Sequence, residues 1–171
     1  MSTRKRIARV FPTKTSMSPT DKNAYFGPPD LFTSDYDEAH VSVTFSWDLE
    51  RAYWLERQWE SVCPVKMGGL AIDQKEGNGF IPGEYLKKGI VITSRGCPFK
   101  CSWCLVDHPL REINIEEGNI IQDNNILACS KSHLDKVFQM LSHQKRIEFS
   151  GGLDCRLLTD EIVERLRGLK I

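Results

Sequence analysis

The sequence predicts an α/β protein built on parallel strands, and three observations support this fold class. Short apolar runs typical of strands alternate along the chain with segments whose apolar residues recur at helical spacing. Glycine pairs, such as Gly68-Gly69 and Gly151-Gly152, interrupt these segments. The order strand, helix, strand occurs in both halves of the chain, and this order is typical of parallel strands joined by helices.

In the first half, the predicted elements are a strand over residues 7–11, a strand over 41–47, a helix over 49–61 and a short strand over 65–67. The strand over 41–47 is predicted from the alternation of Val41, Val43, Phe45 and Trp47 with polar residues. Asp48 is the predicted cap of the helix. Residues 11–38 contain four of the eight prolines and predict an irregular segment. We expect the following side chains to keep that segment ordered by burial: Tyr25, Phe26, Leu31 and Phe32.

In the second half, a buried strand over residues 90–94 leads directly into a cysteine-rich loop, and residues 105–130 predict a second irregular segment. The pair Ser132 and Asp135 fits a capping box at the start of a helix. A strand over 146–150 and a helix capped by Thr159 follow. The predicted inward-facing residues of these two helices are Leu134, Val137, Phe138 and Leu141, and then Ile162, Val163, Leu166 and Leu169. We expect two domains, residues 1–86 and 87–171.

Charge and hydropathy exclude some partners. The 171 residues include 23 basic and 23 acidic side chains, so the formal net charge is zero and binding to nucleic acid is not indicated. No apolar run has the length of a signal peptide core or a membrane span, so we expect a cytoplasmic protein without a membrane partner.

Three of the six cysteines, Cys97, Cys101 and Cys104, lie within eight positions. In a reducing compartment, such spacing predicts metal binding or catalysis before it predicts disulfides. The remaining cysteines stand alone in the sequence, and we expect each to be a small buried hydrophobe: Cys63, Cys129 and Cys155.

Two kinds of metal centre compete for the three thiolates. Zinc needs four ligands, and His108 or Cys129 could supply the fourth in a purely structural module. A 4Fe-4S cluster held by three thiolates keeps one iron open to a small molecule. An electron-transfer cluster would need a fourth cysteine, and none is well placed.

At these residues the sequence resembles the radical S-adenosylmethionine (SAM) enzymes, whose fingerprint is C-x3-C-x-aromatic-C after the first strand of a (β/α) barrel. Cys97, Cys101, Trp103 and Cys104 match it, and "VITSRGCP" is similar to the subgroup with an N-terminal cobalamin-binding-type domain. The resemblance implies that the three cysteines ligate a 4Fe-4S cluster, that its open iron binds the methionine part of SAM, and that Trp103 contacts the adenine end.

A second match to this family is "EFSGGLD", which we place at the end of the next strand, where these enzymes carry a GGE-type motif. The resemblance implies that Gly151 and Gly152 hold the SAM amino group through the backbone. Leu153 replaces the usual acidic residue and the carboxylate is displaced to Asp154, so Asp154 and Arg156 are both candidates for SAM contact.

The first half resembles a shortened, Rossmann-like relative of the cobalamin-binding-type domain. That domain's signature, D-x-H-x-x-G, is missing: Asp37 and His40 have the wrong spacing and no glycine follows. We therefore do not expect bound cobalamin, and we interpret His40 as a histidine at the entry to a strand.

The resemblance as a whole implies a Rossmann-like layer followed by the first strand–helix units of a radical SAM barrel. The implied activity is cleavage of SAM by one electron to a 5′-deoxyadenosyl radical, which takes hydrogen from a substrate that the sequence does not identify. The implied electron donor is flavodoxin-like or ferredoxin-like. A family barrel has about six such units, and only about two follow the cysteine loop, so we expect a missing C-terminal part or a completing partner chain.

Overall fold

The computed structural model describes residues 5–31, 33, 35–72, 80, 83–106 and 108–171. Contacts divide the chain into two compact units, Met1–Lys87 and Lys88–Ile171, next to the predicted boundary. The chain forms both helices and strands, and every strand pair but one is parallel within the described residues. The α/β class with parallel sheets is therefore confirmed.

The first unit contains a four-stranded parallel sheet. Its elements are β1 (Ile7–Val10), β2 (Ala24–Tyr25), β3 (Glu38–Ser42), helix α1 (Leu49–Trp59) and β4 (Val65–Gly68). The strand order is β2-β1-β3-β4. Strands β1, β3 and β4 and helix α1 follow the predicted order, whereas β2 lies within the segment predicted to be irregular.

Strand β3 begins and ends earlier than the alternation predicted. All five of its residues are buried, because β1 and β4 pair with its two edges. The predicted strand over 41–47 was wrong beyond Ser42, since residues 46–48 form a turn of 3₁₀ helix and Trp47 is exposed. Alternation there reflects a chain leaving the sheet, with Val43 still buried and Phe45 stacked on Trp47.

Helix α1 covers one face of this sheet through Ala52, Leu55 and Trp59, as its spacing predicts. Asp48 occupies the N-cap position of α1, as predicted, but does not cap it through its side chain. Its side chain makes no capping bond and instead accepts a hydrogen bond from Thr13 Oγ1 at 2.9 Å. The 3₁₀ turn before α1 supplies the helix entry.

The segment before β3 is held by aromatic contacts. Tyr25 packs edge-on against Trp59 with ring centroids 4.7 Å apart, and Phe26 stacks on Phe11. Leu31, predicted to be buried, is 99% exposed. Phe32 lies outside the described residues.

The second unit contains two small sheets and two helices. Its elements are β5 (Ile90–Val91), β6 (Ser94–Arg95), β7 (Arg111–Glu112), β8 (Ile120–Ile121), α2 (Lys131–Ser142), β9 (Glu148–Phe149) and α3 (Asp160–Arg167). Strands β5, β8 and β9 form a parallel sheet in that order, and β6 and β7 form an antiparallel hairpin.

The predicted strand over 90–94 is two short strands. The Thr93 amide donates to the Asp123 carboxylate at 2.7 Å instead of to a neighbouring strand, so the ladder of β5 stops before it. The predicted irregular segment over 105–130 was also wrong in part, because it contains β7 and β8.

Helix α2 carries the predicted apolar stripe, which is buried in the core of this unit. Its cap is Ser130, whose hydroxyl accepts from the His133 amide, so the predicted capping box at Ser132 and Asp135 was wrong. Thr159 caps α3, as predicted. The apolar residues of α3 are only half-buried; Ile162 and Leu166 pack against the core.

Among the described residues, no helix combines the length and the apolar character needed to cross a membrane.

Candidate functional site

The candidate site lies where the carboxyl ends of three parallel strands meet. Strand β5 leads to the cysteine loop, β8 leads to Asp123-Asn124-Asn125, and β9 leads to residues 151–156. Side chains and backbone groups at this edge of a parallel sheet converge on one region, which is the usual position of ligand sites in such sheets.

Asp123 fixes the start of the cysteine loop. It is 3% exposed, and its two carboxylate oxygens accept hydrogen bonds from the Thr93 amide, the Thr93 hydroxyl and the Ser94 hydroxyl, each at 2.7 Å. A buried carboxylate requires such partners. The Asp123 carboxylate therefore connects the segment between β5 and β6 to the end of β8.

Gly96 admits the chain into the loop. Its φ of 82° lies in the left-handed region, and a Cβ there would lie 2.1 Å from the Pro109 carbonyl oxygen. The Gly96 amide donates to Asn124 Oδ1 at 2.9 Å, and the Cys97 amide donates to the His108 carbonyl at 3.2 Å. The two ends of the loop are thereby held together.

Each predicted metal-binding thiol accepts an N–H hydrogen bond. Cys97 and Cys101 are half-buried and Cys104 is exposed, and none is in a disulfide. The donors are Asn125 Nδ2 to Cys97 Sγ at 3.5 Å, Arg156 Nη2 to Cys101 Sγ at 3.8 Å and the Val106 amide to Cys104 Sγ at 3.5 Å. Such donors stabilise negative charge on sulfur and are typical surroundings of bound clusters.

Asp154 and Arg156 come to the cysteine loop as a pair. Arg156 donates to both carboxylate oxygens of Asp154, at 2.8 and 2.6 Å, and its guanidinium lies 4.2 Å from the ring centroid of Phe99. The Arg156 hydrogen bond is the main reason that the pKa of Asp154 falls to about 2, and the pKa of Arg156 is raised in return. The pair is therefore charged across the physiological range.

The two glycines of "GGLD" differ in their surroundings. A Cβ on Gly151 would lie 2.0 Å from the Asp123 carbonyl oxygen, whereas Gly152, with a φ of 82°, has nothing within 4 Å of that position. Gly151 thus allows β9 to pack closely on β8, and Gly152 leaves open space.

The placement of this motif at the end of the next strand was wrong. Strand β8 lies between β5 and β9 both in sequence and in the sheet, so the glycine pair follows the third parallel strand of this unit. Sequence reasoning passed over Asp123-Asn124-Asn125, although the apolar pair Ile120-Ile121 followed by amide and acidic residues is a detectable signal.

Asn125 has an unused acceptor. The residue is 5% exposed, and its Nδ2 donates to Cys97 and to Asp154 Oδ2 at 3.1 Å. Its Oδ1 is buried and has no hydrogen-bond partner among the described residues. An unpaired buried carbonyl oxygen is costly, so Asn125 is prepared to accept a hydrogen bond from a ligand.

The remaining residues predicted to contact SAM or zinc are Trp103, Cys129 and His108. Trp103 is 85% exposed, and its contact with adenine stays a prediction. Cys129, the alternative zinc ligand, is buried, and its burial raises the pKa to about 11, which disfavours the thiolate that zinc would need. The His108 carbonyl oxygen serves the Cys97 amide.

No group of three or more His, Cys, Asp or Glu side chains is arranged to hold a metal ion in the part of the chain that is described. The donor set nevertheless fits an iron–sulfur cluster in its chemistry, because three thiols lie on one loop and each has an N–H donor. Four zinc donors are not brought together.

Comparison of this chain with protein-family models, curated proteins and solved structures gives no match.

Proposed function

We propose that the second unit binds a 4Fe-4S cluster through Cys97, Cys101 and Cys104 and that the protein is a radical SAM enzyme. The observation that supports this most is that all three thiols accept N–H hydrogen bonds at the edge where three parallel strands end. Once reduced by an electron donor, a cluster held by these cysteines would supply an open iron for SAM and the electron for its cleavage to methionine and a 5′-deoxyadenosyl radical.

The residues of this chain would bind and orient the methionine part of SAM. Asn125 Oδ1 is a free acceptor for an ammonium group, and Asp154 is an anion held beside it. Gly152 leaves room for a ligand to approach the backbone. The amino group is therefore assigned to Asn125 and Asp154, with Gly152 near it.

Cluster binding would need the cysteine loop to close, because the three thiols are not gathered. Asp123 and Asn124 hold the loop's entry, so the movement would be confined to residues beyond Gly96. The electron donor is proposed to be flavodoxin-like or ferredoxin-like, and the protein to be cytoplasmic. The substrate stays open because the fold family hosts many reactions.

We infer that the first unit is a Rossmann-like layer without cobalamin and that the second is an incomplete radical SAM barrel. Support comes from the parallel order β2-β1-β3-β4 in the first unit and from the loop-bearing parallel strands of the second. A UV–visible spectrum after incubation with cobalamin tests the first half of this statement. Retained corrinoid bands would contradict it.

Anaerobic reconstitution with iron and sulfide, followed by dithionite and SAM, tests the activity. We expect bound iron and sulfide and formation of 5′-deoxyadenosine. Changing Cys97, Cys101 or Cys104 to alanine should abolish both. Cys155→Ala should preserve both, because Cys155 lies outside the loop; it is exposed, so the prediction that it is buried was wrong. The proposal fails if His108→Ala releases a bound zinc ion and no cluster forms.

A further inference from the structure

Two arginines lie directly opposite each other on the hairpin that carries the cysteine loop. Arg95 in β6 pairs in register with Arg111 in β7. Opposite residues of an antiparallel pair project from the same face, and like charges placed there are destabilising. Ser94 occupies the alternate position and donates to Asp123, so the arginines project from the other face of the hairpin.

Neither guanidinium has a hydrogen-bond or ion-pair partner among the residues that the structure describes. The following arginines have carboxylate partners: Arg6, Arg9, Arg156, Arg165 and Arg167. Arg51, Arg57 and Arg146 also have no carboxylate partner among the described residues, but these three are exposed. Arg95 is half-buried. A cation that loses water on burial ordinarily gains a counter-ion.

The neighbouring carboxylates are engaged elsewhere. Asp123 serves Thr93 and Ser94. Glu112 Oε1 accepts from the Ser130 amide at 2.6 Å, and its Oε2 lies 3.7 Å from His133 Nδ1. Asp123 still acts electrostatically on Arg95, but burial has the larger effect and lowers the pKa of Arg95. Among the described residues, the arginine pair therefore has no hydrogen-bonded anion.

We propose that Arg95 and Arg111 form a binding site for a phosphate or carboxylate group of the substrate. Paired strands place opposite Cα atoms about 5 Å apart, so two planar guanidinium groups can share one anion. Arg95 precedes Cys97 by two residues, about 7 Å of extended chain, so a bound anion would anchor a substrate beside the cysteine loop. The assignment of the anion to the substrate rests on the proposed function, whereas the existence of the anion site does not.

The test uses the full chain without a cluster. Sodium phosphate and sodium malonate are titrated at constant ionic strength while amide chemical shifts of β6 and β7 are followed. We expect saturable shifts in the wild-type protein and about a tenfold or greater loss of affinity in Arg95→Gln and in Arg111→Gln, because each removes charge-assisted hydrogen bonds.

Arg167→Gln is the matched control, since it removes the same charge from an exposed arginine paired with Glu164. It should retain affinity within about twofold, in keeping with the small effect of a screened, distant surface charge. If Arg167→Gln loses as much anion affinity as the other two variants, or if the shifts do not saturate, the binding is that of an adventitious ion only. Either result would overturn the proposal. Arg95→Lys keeps the charge but removes the planar guanidinium. We expect it to bind the anion more weakly while its amide spectrum stays dispersed, which shows that the loss comes from the bidentate contact and not from misfolding.

A second arm separates the substrate's anion from the carboxylate of SAM. In protein reconstituted with a cluster, Arg95→Gln should leave SAM affinity unchanged. A matching fall in SAM affinity would assign the anion to SAM and overturn the substrate assignment. Saturable phosphate binding in a protein that assembles no cluster would support the anion site and contradict the radical SAM function. The two proposals can therefore fail independently.

Discussion

Asp123 connects the strands of the second unit to the cysteine loop. Three donors from Thr93 and Ser94 end on one buried carboxylate, and this contact stops the ladder of β5 just before the loop begins. The neighbouring Asn124 and Asn125 bind Gly96 and Cys97. One short segment after β8 therefore positions the entry to the proposed cluster site.

Asp123→Asn should lower the free energy of unfolding by about 2–4 kcal/mol, because it removes charged hydrogen bonds and leaves a buried donor unmatched. Urea unfolding monitored on the second unit measures this. The control Asp135→Asn, which breaks an exposed pair with Arg165, should cost about 0–1 kcal/mol. Equal costs for the two variants would show that Asp123 has no special role.

Gly151→Ala should destabilise the second unit by about 2 kcal/mol or more, because the new methyl group would overlap the Asp123 carbonyl oxygen. Gly168→Ala places a methyl group 3.3 Å from the Arg165 carbonyl oxygen and needs no unusual φ, so it serves as the control. Thermal unfolding midpoints compare the two. A Gly151→Ala protein as stable as the control would contradict the close packing of β9 on β8.

Glu38 should make the first unit sensitive to acid. Hydrogen bonds from Lys5, then Lys66 and His40, lower the pKa of Glu38 from 4.5 to about 2. A lowered folded-state pKa gives stability that is full above pH 4.5 and is lost as the pH falls toward 2. Urea unfolding at several pH values should show this loss in the wild-type protein and a smaller one in Glu38→Gln. If the free energy of unfolding depends on pH as steeply in Glu38→Gln as in the exposed control Glu50→Gln, Glu38 is not the source of the acid sensitivity.

At the scale of elements, the helices were predictable and only some of the short strands were: β5 and β9 lie within predicted strands, whereas β7 and β8 were missed. The apolar stripes of α1 and α2 span two or more turns, so periodicity identifies them. Strands β5 to β9 have two residues each, which is too few for any alternation to appear. Capping choices also depend on contacts: Thr13 engages Asp48, and Ser130 rather than Ser132 begins α2.

The candidate site was predictable only where its signal is local. The spacing of Cys97, Cys101 and Cys104 is visible in ten residues, whereas Asp123 and Asn125 contact the loop from 28 to 30 positions away. His40 shows the same limit. It lies inside β3 rather than at a strand entry, with Nδ1 2.7 Å from Tyr85 Oη and Nε2 3.1 Å from Glu38. Tyr85 is 45 positions from His40, so that contact leaves no local pattern in the sequence.

Helix α1 should owe its stability to its buried face. Leu55 has no exposed surface, so Leu55→Ala should lower the free energy of unfolding of the first unit by about 2–5 kcal/mol. Arg57→Ala, on the exposed face, should change it by about 0.5 kcal/mol or less. Hydrogen exchange of the β1 and β3 amides measures both. Unchanged exchange in Leu55→Ala would contradict the packing of α1 on that sheet.

At the scale of the whole molecule, each unit has its own core. One core is centred on Trp59 and Leu55 and the other on Leu141 and Val137. The proposed cluster, the SAM contacts and the arginine pair all belong to the second unit. In the described residues its parallel sheet has three strands, with β5 and β9 at the edges.

Electron paramagnetic resonance of the anaerobically reconstituted, dithionite-reduced protein, recorded before and after addition of SAM, tests the central proposal most directly. We expect about four irons per chain, a reduced-cluster signal that changes when SAM binds, and loss of both in Cys101→Ala. A single zinc ion per chain, or a cluster whose signal does not change when SAM is added, would contradict the proposed function.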